Sequence, residues 1–222
     1  MQTQLLQLDT QLDVHVFANL IDQLAQEALL EEVGLNLKPG LVCPNSRGSH
    51  TDMDHELFLL SISALKGYFH DQFLYGYHAV DFENIRQRGL LAEQHMLTAT
   101  HGINTHKGAI FNLGFACAAI GKCVAENKAI EASEISKLLQ LNWKHKLLHH
   151  LKRHQSNHGQ QMREKYGITG AIEEVASGFI TVREISLPCF KQTYMKTQSL
   201  ELSAIQTLFS LMAHVQDTNI VW

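Results

Sequence analysis

Apolar residues recur every fourth position in the first part of this chain. The stripe consists of Leu12, Val16, Leu20, Leu24 and Ala28, widened by Phe17, Ile21 and Leu29. This spacing predicts an amphipathic helix that ends near Gly34. The following segment, residues 38–48, contains two prolines and two glycines and cannot continue a helix, so it is predicted to be an irregular loop.

Several later segments also have helical patterns. Thr51 and Asp54 form a capping-box pattern before the apolar run 57–65, which predicts a second helix starting near Asp52. A third helix is predicted over residues 80–97, followed by a break. Residues 105–124 are rich in glycine and alanine, which predicts a central helix that neighbours can approach closely. Further helices are predicted over about 131–151, 171–177 and 200–215.

The absence of alternating strand patterns predicts an all-α protein, a single-domain compact helical bundle with functional loops at helix N-termini. We expect residues 1–222 to form one all-helical catalytic domain, since this length can bury one large core. Apolar residues make up 45% and charged residues 18% of the chain, which excludes a disordered class.

Composition also limits the cellular compartment and the binding partners that we expect for this protein. The net charge of −4 gives no basic stripe, which argues against nucleic-acid binding. The four cysteines form no C-x-x-C pair, the first residues lack a signal-peptide pattern, and the apolar stretch 108–121 is short and contains Asn112. We therefore expect a cytoplasmic protein with reduced thiols, no membrane partner and a buried helix over that stretch.

Two loop-to-helix junctions carry polar residues that a plain bundle does not need. The first joins Lys38-Pro39-Gly40 to His50-x-Asp52-Met53-Asp54, and Asp52 with Asp54 suits magnesium on a phosphate chain. The alternative is that these acids only complement the helix dipole, an effect of about 0.3–1 kcal/mol. The second is the stretch 98–108, where Thr105, Lys107 and a helix N-terminus can cradle an anion, or form a cap beside a solvated lysine.

A third junction runs from residue 157 to residue 174. Glu174 can bind metal or accept a proton there, while Glu173 and Glu174 can equally form a solvated face. Four histidines lie at helical spacing among lysines and an arginine, which favours an exposed basic helix over a metal site; they are His145, His149, His150 and His154. Neither a P-loop nor a dinucleotide-binding glycine motif occurs.

Taken together, the ordered motifs resemble the triphosphoribosyl-dephospho-CoA synthase family, which serves citrate lyase and malonate decarboxylase. The strongest are Lys38-Pro39-Gly40-Leu41-Val42, His50-Thr51-Asp52-Met53-Asp54 and Asn104-Thr105-His106-Lys107-Gly108, followed by Glu174 and Asp217-Thr218-Asn219. The family pattern has an arginine where this chain has Ile172 and a glycine where it has His101. Family members also continue beyond Asn219 with an Arg-Gly-Gly stretch, so we expect this chain to be shortened at its C-terminus.

The resemblance implies a transferase that joins the triphosphoribosyl group of ATP to the ribose 2′-hydroxyl of 3′-dephospho-CoA and releases adenine. The product would be the prosthetic-group precursor of an acyl carrier protein, attached by a separate transferase. A homodimer is left open.

For this reaction we hypothesise the following residue roles. Asp52 and Asp54 would bind Mg²⁺ on ATP, and Lys38 and Lys107 would neutralise the triphosphate. His50 or His106 would protonate the adenine, and Glu174 or Asp217 would accept the hydroxyl proton. The remaining expected substrate-binding residues are Gly40, Asn104, Thr105, Gly108 and Asn219.

Two other functions remain open from the residues alone. One is a metal-dependent His/Asp phosphohydrolase, suggested by His50-x-Asp52 and the fourteen histidines. The other is a non-catalytic helical nucleotide-binding protein, suggested by the early stop at Trp222.

Overall fold

The computed structural model describes residues 14–153 and 170–215, and these ranges contain helices and no β-strand. The all-α prediction is therefore confirmed for the described part of the chain. The α-helices are α1 (Val14–Gly34), α2 (His55–Ala64), α3 (Tyr68–Tyr77), α4 (Phe82–Ala99), α5 (Lys107–Ala125), α6 (Ala132–Asn142), α7 (Lys144–Arg153), α8 (Ala171–Ala176), α9 (Leu187–Thr197) and α10 (Leu200–His214). A π-helical segment, Val182–Ser186, precedes α9.

The small residues of α5 allow α3 to pack directly against its backbone. A side-chain carbon at Gly76 would collide with the carbonyl of Ala118, and one at Gly121 would collide with the carbonyl of Phe73. Glycine is therefore required on both helices at this contact. The predicted central helix is confirmed, and its small residues have the predicted purpose.

Helix α5 also belongs to both hydrophobic cores. With α1, α3 and α4 it encloses one cluster that includes Phe69, Phe73 and Met96. On its other side it packs with α6, α7 and α8 around Phe115 and Trp143. It is long and apolar enough to cross a membrane by length and composition, but here it is a core helix, as the sequence predicts.

The start of α3 is capped by a carboxylate from α1. Asp22 is buried, and its oxygens accept hydrogen bonds from the backbone N–H groups of Gly67 and Phe69 at 3.1 Å and of His70 at 3.3 Å. These are donors that a helix N-terminus leaves without intrahelical partners. Asp22 thereby fixes α3 to α1 across 45 residues of sequence.

Several boundaries differ from the predicted ones. Helix α2 begins at His55 and not near Asp52, because the Asp54 carboxylate caps it by accepting from the Leu57 N–H at 3.1 Å. The helix predicted over 131–151 is divided at Trp143, whose side chain enters the second core. Helix α3 and the helical stretch 182–197 are not among the elements predicted from the sequence.

The π-helical segment, α9 and α10 form a C-terminal hairpin over residues 182–214, in which the elements pack mainly on one another. Within the hairpin only Ser203 is buried. Its large exposed apolar side chains are Val182, Tyr194, Met195, Leu200, Leu202 and Phe209.

Candidate functional site

The loop before α2 folds back on itself through two glycines with positive φ. Gly40 has φ +75° and Gly48 has φ +59°, a left-handed region that favours glycine. The Gly40 carbonyl accepts from the Ser49 N–H at 3.0 Å, and a side-chain carbon at Gly48 would strike that same carbonyl. The expected substrate residue Gly40 thus has a definite structural role in closing this loop.

Lys38, at the start of that loop, points into the protein. Its side chain is 2% exposed, and Nζ donates to the Glu32 backbone carbonyl at 2.6 Å and to the Glu32 carboxylate at 2.7 Å. A buried ammonium is costly unless it is paired, and these two acceptors at the end of α1 hold it in place. The loop therefore places the positively charged Lys38 ammonium in the interior at a fixed position.

His106 lies at the N-terminus of α5 and is the most enclosed of the predicted catalytic residues that the structure describes. It is 5% exposed, and its ring packs edge-on against Phe58, with the centroids 4.9 Å apart. Burial, and secondly the positive charge of Lys38, lowers the pKa of His106 from its ordinary 6.5 to about 4. The imidazole is therefore neutral at pH 7.

Two hydroxyl groups connect His106 to α2. The Thr105 hydroxyl donates to Ser61 Oγ at 2.6 Å, and Ser61 Oγ lies 2.7 Å from His106 Nδ1. On the other side of the ring, the buried Nε2 has no hydrogen-bond partner among the described residues. We call Lys38, Ser61, Thr105 and His106 the α2–α5 junction.

The carboxylates at the start of α2 face solvent. Asp54 Oδ2 accepts from Arg47 at 2.9 Å while its other oxygen caps the helix. Asp52 is 57% exposed and lies 3.9 Å from His50 Nδ1. An open cleft of about 410 Å³ adjoins Asp54, between the loop 43–47 and the first turn of α2.

The first turn of α5 supplies three of the other predicted residues. Lys107 Nζ pairs with the Glu93 carboxylate of α4 at 2.6 Å, and Asn104 caps the turn by accepting from the Lys107 N–H at 3.2 Å. Gly108 faces open space, since an added side-chain carbon would meet no atom within 4 Å. The surface at Gly108 is therefore open, and Lys107 beside it is exposed apart from its pairing with Glu93.

Glu174 lies apart from these groups, in α8. Its carboxylate accepts from the Thr181 N–H at 2.9 Å, the Thr181 hydroxyl at 2.8 Å and the Val182 N–H at 3.3 Å. It thus holds the start of the π-helical segment, and its catalytic role stays a prediction. Asp217 and Asn219 lie outside the described residues.

The face of α7 that carries His145 and His149 is exposed, as predicted, while Leu147 on its other face is buried in the second core. His145 and His149 stack with ring centroids 6.2 Å apart and border a pocket of about 380 Å³ that also includes Arg86 and Lys146. In the parts of the chain that the structure describes, no group of three histidine, cysteine or acidic side chains is placed to hold a metal ion. His154 lies outside those parts.

Three residues at the site were not predicted to act there: Ser61, Arg47 and Glu93. Ser61 could have been noticed, because it is a polar residue within the apolar run 57–65. A fully buried polar group needs a hydrogen-bond partner, so its position pointed to a polar neighbour. The ion pairs of Arg47 with Asp54 and of Glu93 with Lys107 had no comparable signal.

Comparison with known proteins agrees with the resemblance. The pattern of the ATP:dephospho-CoA triphosphoribosyl transferase family matches residues 18–222. A probable 2-(5″-triphosphoribosyl)-3′-dephosphocoenzyme-A synthase of Acinetobacter calcoaceticus is 56% identical over 95% of this chain and 72% of its own length. The synthase of Pectobacterium atrosepticum is 36% identical over 90% and 69%.

The synthase of Escherichia fergusonii is 35% identical over 90% of this chain and 70% of its own length. No solved structure matches the chain. The family match covers the Lys38 loop, the start of α2 and the α2–α5 junction. The chain belongs to the ATP:dephospho-CoA triphosphoribosyl transferase family.

Proposed function

We propose that the chain transfers the triphosphoribosyl group of ATP to the ribose 2′-hydroxyl of 3′-dephospho-CoA at the α2–α5 junction and the neighbouring start of α2. The observation that supports this proposal is the Lys38 ammonium, which is buried, paired with Glu32 and acts through its charge on His106 at the N-terminus of α5. Both the charge and the helix terminus favour an anion. The triphosphate of ATP is such an anion, and Lys107 provides a second cation at the same helix start.

The residues at the start of α2 fit a magnesium ion carried by that triphosphate. Magnesium needs one or two carboxylates when phosphate oxygens and water complete its shell. Asp52 faces solvent and supplies one carboxylate, while Asp54 can supply a second if Arg47 moves to a phosphate oxygen. When bound, the ion would neutralise phosphate charge and fix the triphosphate chain.

The reaction breaks the glycosidic bond between the anomeric ribose carbon and the purine nitrogen, and it forms a bond from that carbon to the 2′-oxygen. The bond electrons and one proton leave with adenine, and the attacking hydroxyl loses its proton to a base. In this proposal His50, which is partly exposed beside Asp52, supplies the proton to adenine. Of the two predicted bases, Asp217 accepts the hydroxyl proton in this proposal, because Glu174 lies apart from the junction and its carboxylate accepts from Thr181 and Val182.

The product retains the triphosphate and carries a phosphopantetheine arm. Such a molecule is suited to become the prosthetic group of an acyl carrier protein, such as those of citrate lyase or malonate decarboxylase. The attachment is a second reaction, which displaces pyrophosphate from the triphosphate, and we assign it to a separate transferase.

Incubation with ATP, Mg²⁺ and dephospho-CoA tests the proposal, with free adenine measured by chromatography. Adenine should appear in step with the joined product, whereas ADP or phosphate release without adenine would contradict it. Asp52→Asn should lower adenine release by about 100-fold, in the range expected for losing one transition-state electrostatic contact. Asp81→Asn is the matched control, because Asp81 caps α4 and asparagine caps equally well.

A further inference from the structure

The hydrogen-bond chain of the α2–α5 junction has a direction. Each hydroxyl has one proton to donate, and the Thr105 proton is directed to Ser61 Oγ. The Ser61 proton is then available for His106 Nδ1, 2.7 Å away. When Ser61 donates this proton to Nδ1, the single ring proton of a neutral imidazole is on Nε2.

The buried Nε2–H lacks an acceptor within the described structure. The groups around His106 Nε2 determine which type of ligand atom can accept from it. The Lys38 ammonium is close enough to influence the ring, and two of its donors are occupied by Glu32. The charge of Lys38 acts on the ring, and His106 lies at the N-terminus of α5, so an oxygen with negative charge is the suited acceptor for this N–H.

We propose that Ser61 is a positioning residue that keeps the His106 proton on Nε2, so that this N–H donates to an anionic phosphate oxygen of ATP. This inference rests on the proposed function and names the role of one of its residues. His106 is then a hydrogen-bond donor to substrate and not the acid that protonates adenine. The protonation of adenine is accordingly left to His50.

The burial of the ring supports this assignment. Its lowered pKa of about 4 leaves almost no imidazolium at pH 7, and a neutral imidazole is far too weak an acid to give up its remaining proton. A donor that stays neutral avoids placing a second buried charge beside Lys38. The same N–H can still orient the phosphate chain.

The tautomer can be observed directly by nitrogen-15 NMR of the histidine-labelled protein at pH 7, with the His106 signals assigned from a variant. Nε2 should give a protonated, pyrrole-type signal and Nδ1 an unprotonated, pyridine-type signal. In Ser61→Ala the signals should shift toward the other tautomer, whereas Ser63→Ala, a change at an exposed serine of the same helix, should leave them unchanged. Protonation on Nδ1, or on both nitrogens, in the wild-type protein would overturn the proposal.

Binding of inorganic tripolyphosphate with Mg²⁺, measured by calorimetry, tests the donor role without turnover. His106→Gln keeps an N–H donor but has no acid function at neutral pH, while His106→Leu keeps only the bulk. The glutamine variant should bind within about threefold of the wild type, and Ser61→Ala and His106→Leu should bind about tenfold or more weakly, as expected for one hydrogen bond to a charged group. Equal loss in the glutamine and leucine variants would refute the donor role.

The proposed reaction and the inferred role of His106 can be contradicted separately. If the wild-type protein releases no adenine, the proposed reaction is wrong, whatever the tautomer of His106. If adenine is released but tripolyphosphate binding does not depend on His106, the reaction stands and the inference is wrong. The melting temperature of each variant, followed by circular dichroism, separates loss of binding from loss of fold.

Discussion

The α2–α5 junction and the C-terminal hairpin depart from ordinary burial in opposite directions. The junction places an ammonium, a hydroxyl and an imidazole in the interior, and one imidazole nitrogen has no partner within residues 14–153 and 170–215. The hairpin instead leaves large apolar side chains in solvent, with Met195 78% exposed. Both arrangements cost free energy relative to a plain helical bundle.

The comparison shows how much each unusual burial pattern says about a ligand. A buried polar group without a partner has a defined direction, so it identifies both a position and a type of ligand. An exposed apolar surface has neither, since the hydrophobic effect is non-directional. The junction therefore supports a chemical assignment, whereas the hairpin shows only that its surface is apolar.

The largest expected effect is on activity and comes from removing the buried charge of the junction. Lys38→Met should lower adenine release by about 100–1000-fold, the range for loss of one preorganised electrostatic contact. Lys66→Met removes an exposed lysine between α2 and α3 and is the matched control, which should keep its activity. Comparable rates in the two variants would contradict a role for the junction charge.

Two methionines, one buried and one exposed in the hairpin, test the difference in burial through the free energy of unfolding. Met96 is fully buried in the core enclosed by α1, α3, α4 and α5, so Met96→Ala should lower the free energy of unfolding by about 2–5 kcal/mol. Met195→Ala in the hairpin should change it by less than about 0.5 kcal/mol. Urea unfolding curves of both variants measure these values. A large effect at Met195 would mean that the hairpin surface is covered in solution.

Helices whose stabilising signals are local could be predicted from the sequence. The long apolar stripe of α1 and the small residues of α5 lie within their own segments. Helix α3 was missed because its cap is Asp22, 45 residues earlier, and because glycine precedes it with no side chain to signal a start. Its aromatic residues Tyr68, Phe69, Phe73 and Tyr77 nevertheless lie at helical spacing and could have indicated it.

The candidate site shows the same limit. The motifs predicted Thr105 and His106 as functional residues, and the structure joins both of them to Ser61 of α2. Lys38, also predicted, is buried, and its charge acts on His106. The arrangement could not be predicted, because the contacts of Ser61 span 44 and 45 residues. The predicted metal ligands Asp52 and Asp54 lie nearby at the α2 start, but the burial that distinguishes His106 from His50 depends on packing between helices.

A smaller effect is expected from acid. Because folding lowers the pKa of His106 from 6.5 to about 4, the unfolded chain binds the proton more tightly. The contribution of this residue to stability is fully present above about pH 6.5 and is lost as the pH falls toward 4, with an upper limit of about 3 kcal/mol. Unfolding curves between pH 7 and 4 should show this loss in the wild type and a smaller loss in His106→Gln. Equal pH dependence in both would exclude His106 as its source.

The smallest expected effect compares one left-handed residue from each region. His101, in the loop that leads to the junction, has φ +55°, and Gln198, in the turn between α9 and α10, has φ +53°. Glycine relieves this strain, so His101→Gly should raise the free energy of unfolding by about 0.5–1 kcal/mol. The Gln198 amide donates to the Tyr194 carbonyl at 3.1 Å, so Gln198→Gly loses that bond and should be close to neutral.

Adenine release should persist in both variants. The reason is that His101 is expected to contribute only a backbone conformation to the loop, and glycine adopts the same conformation. Loss of activity only in His101→Gly would instead assign its imidazole a part in the reaction.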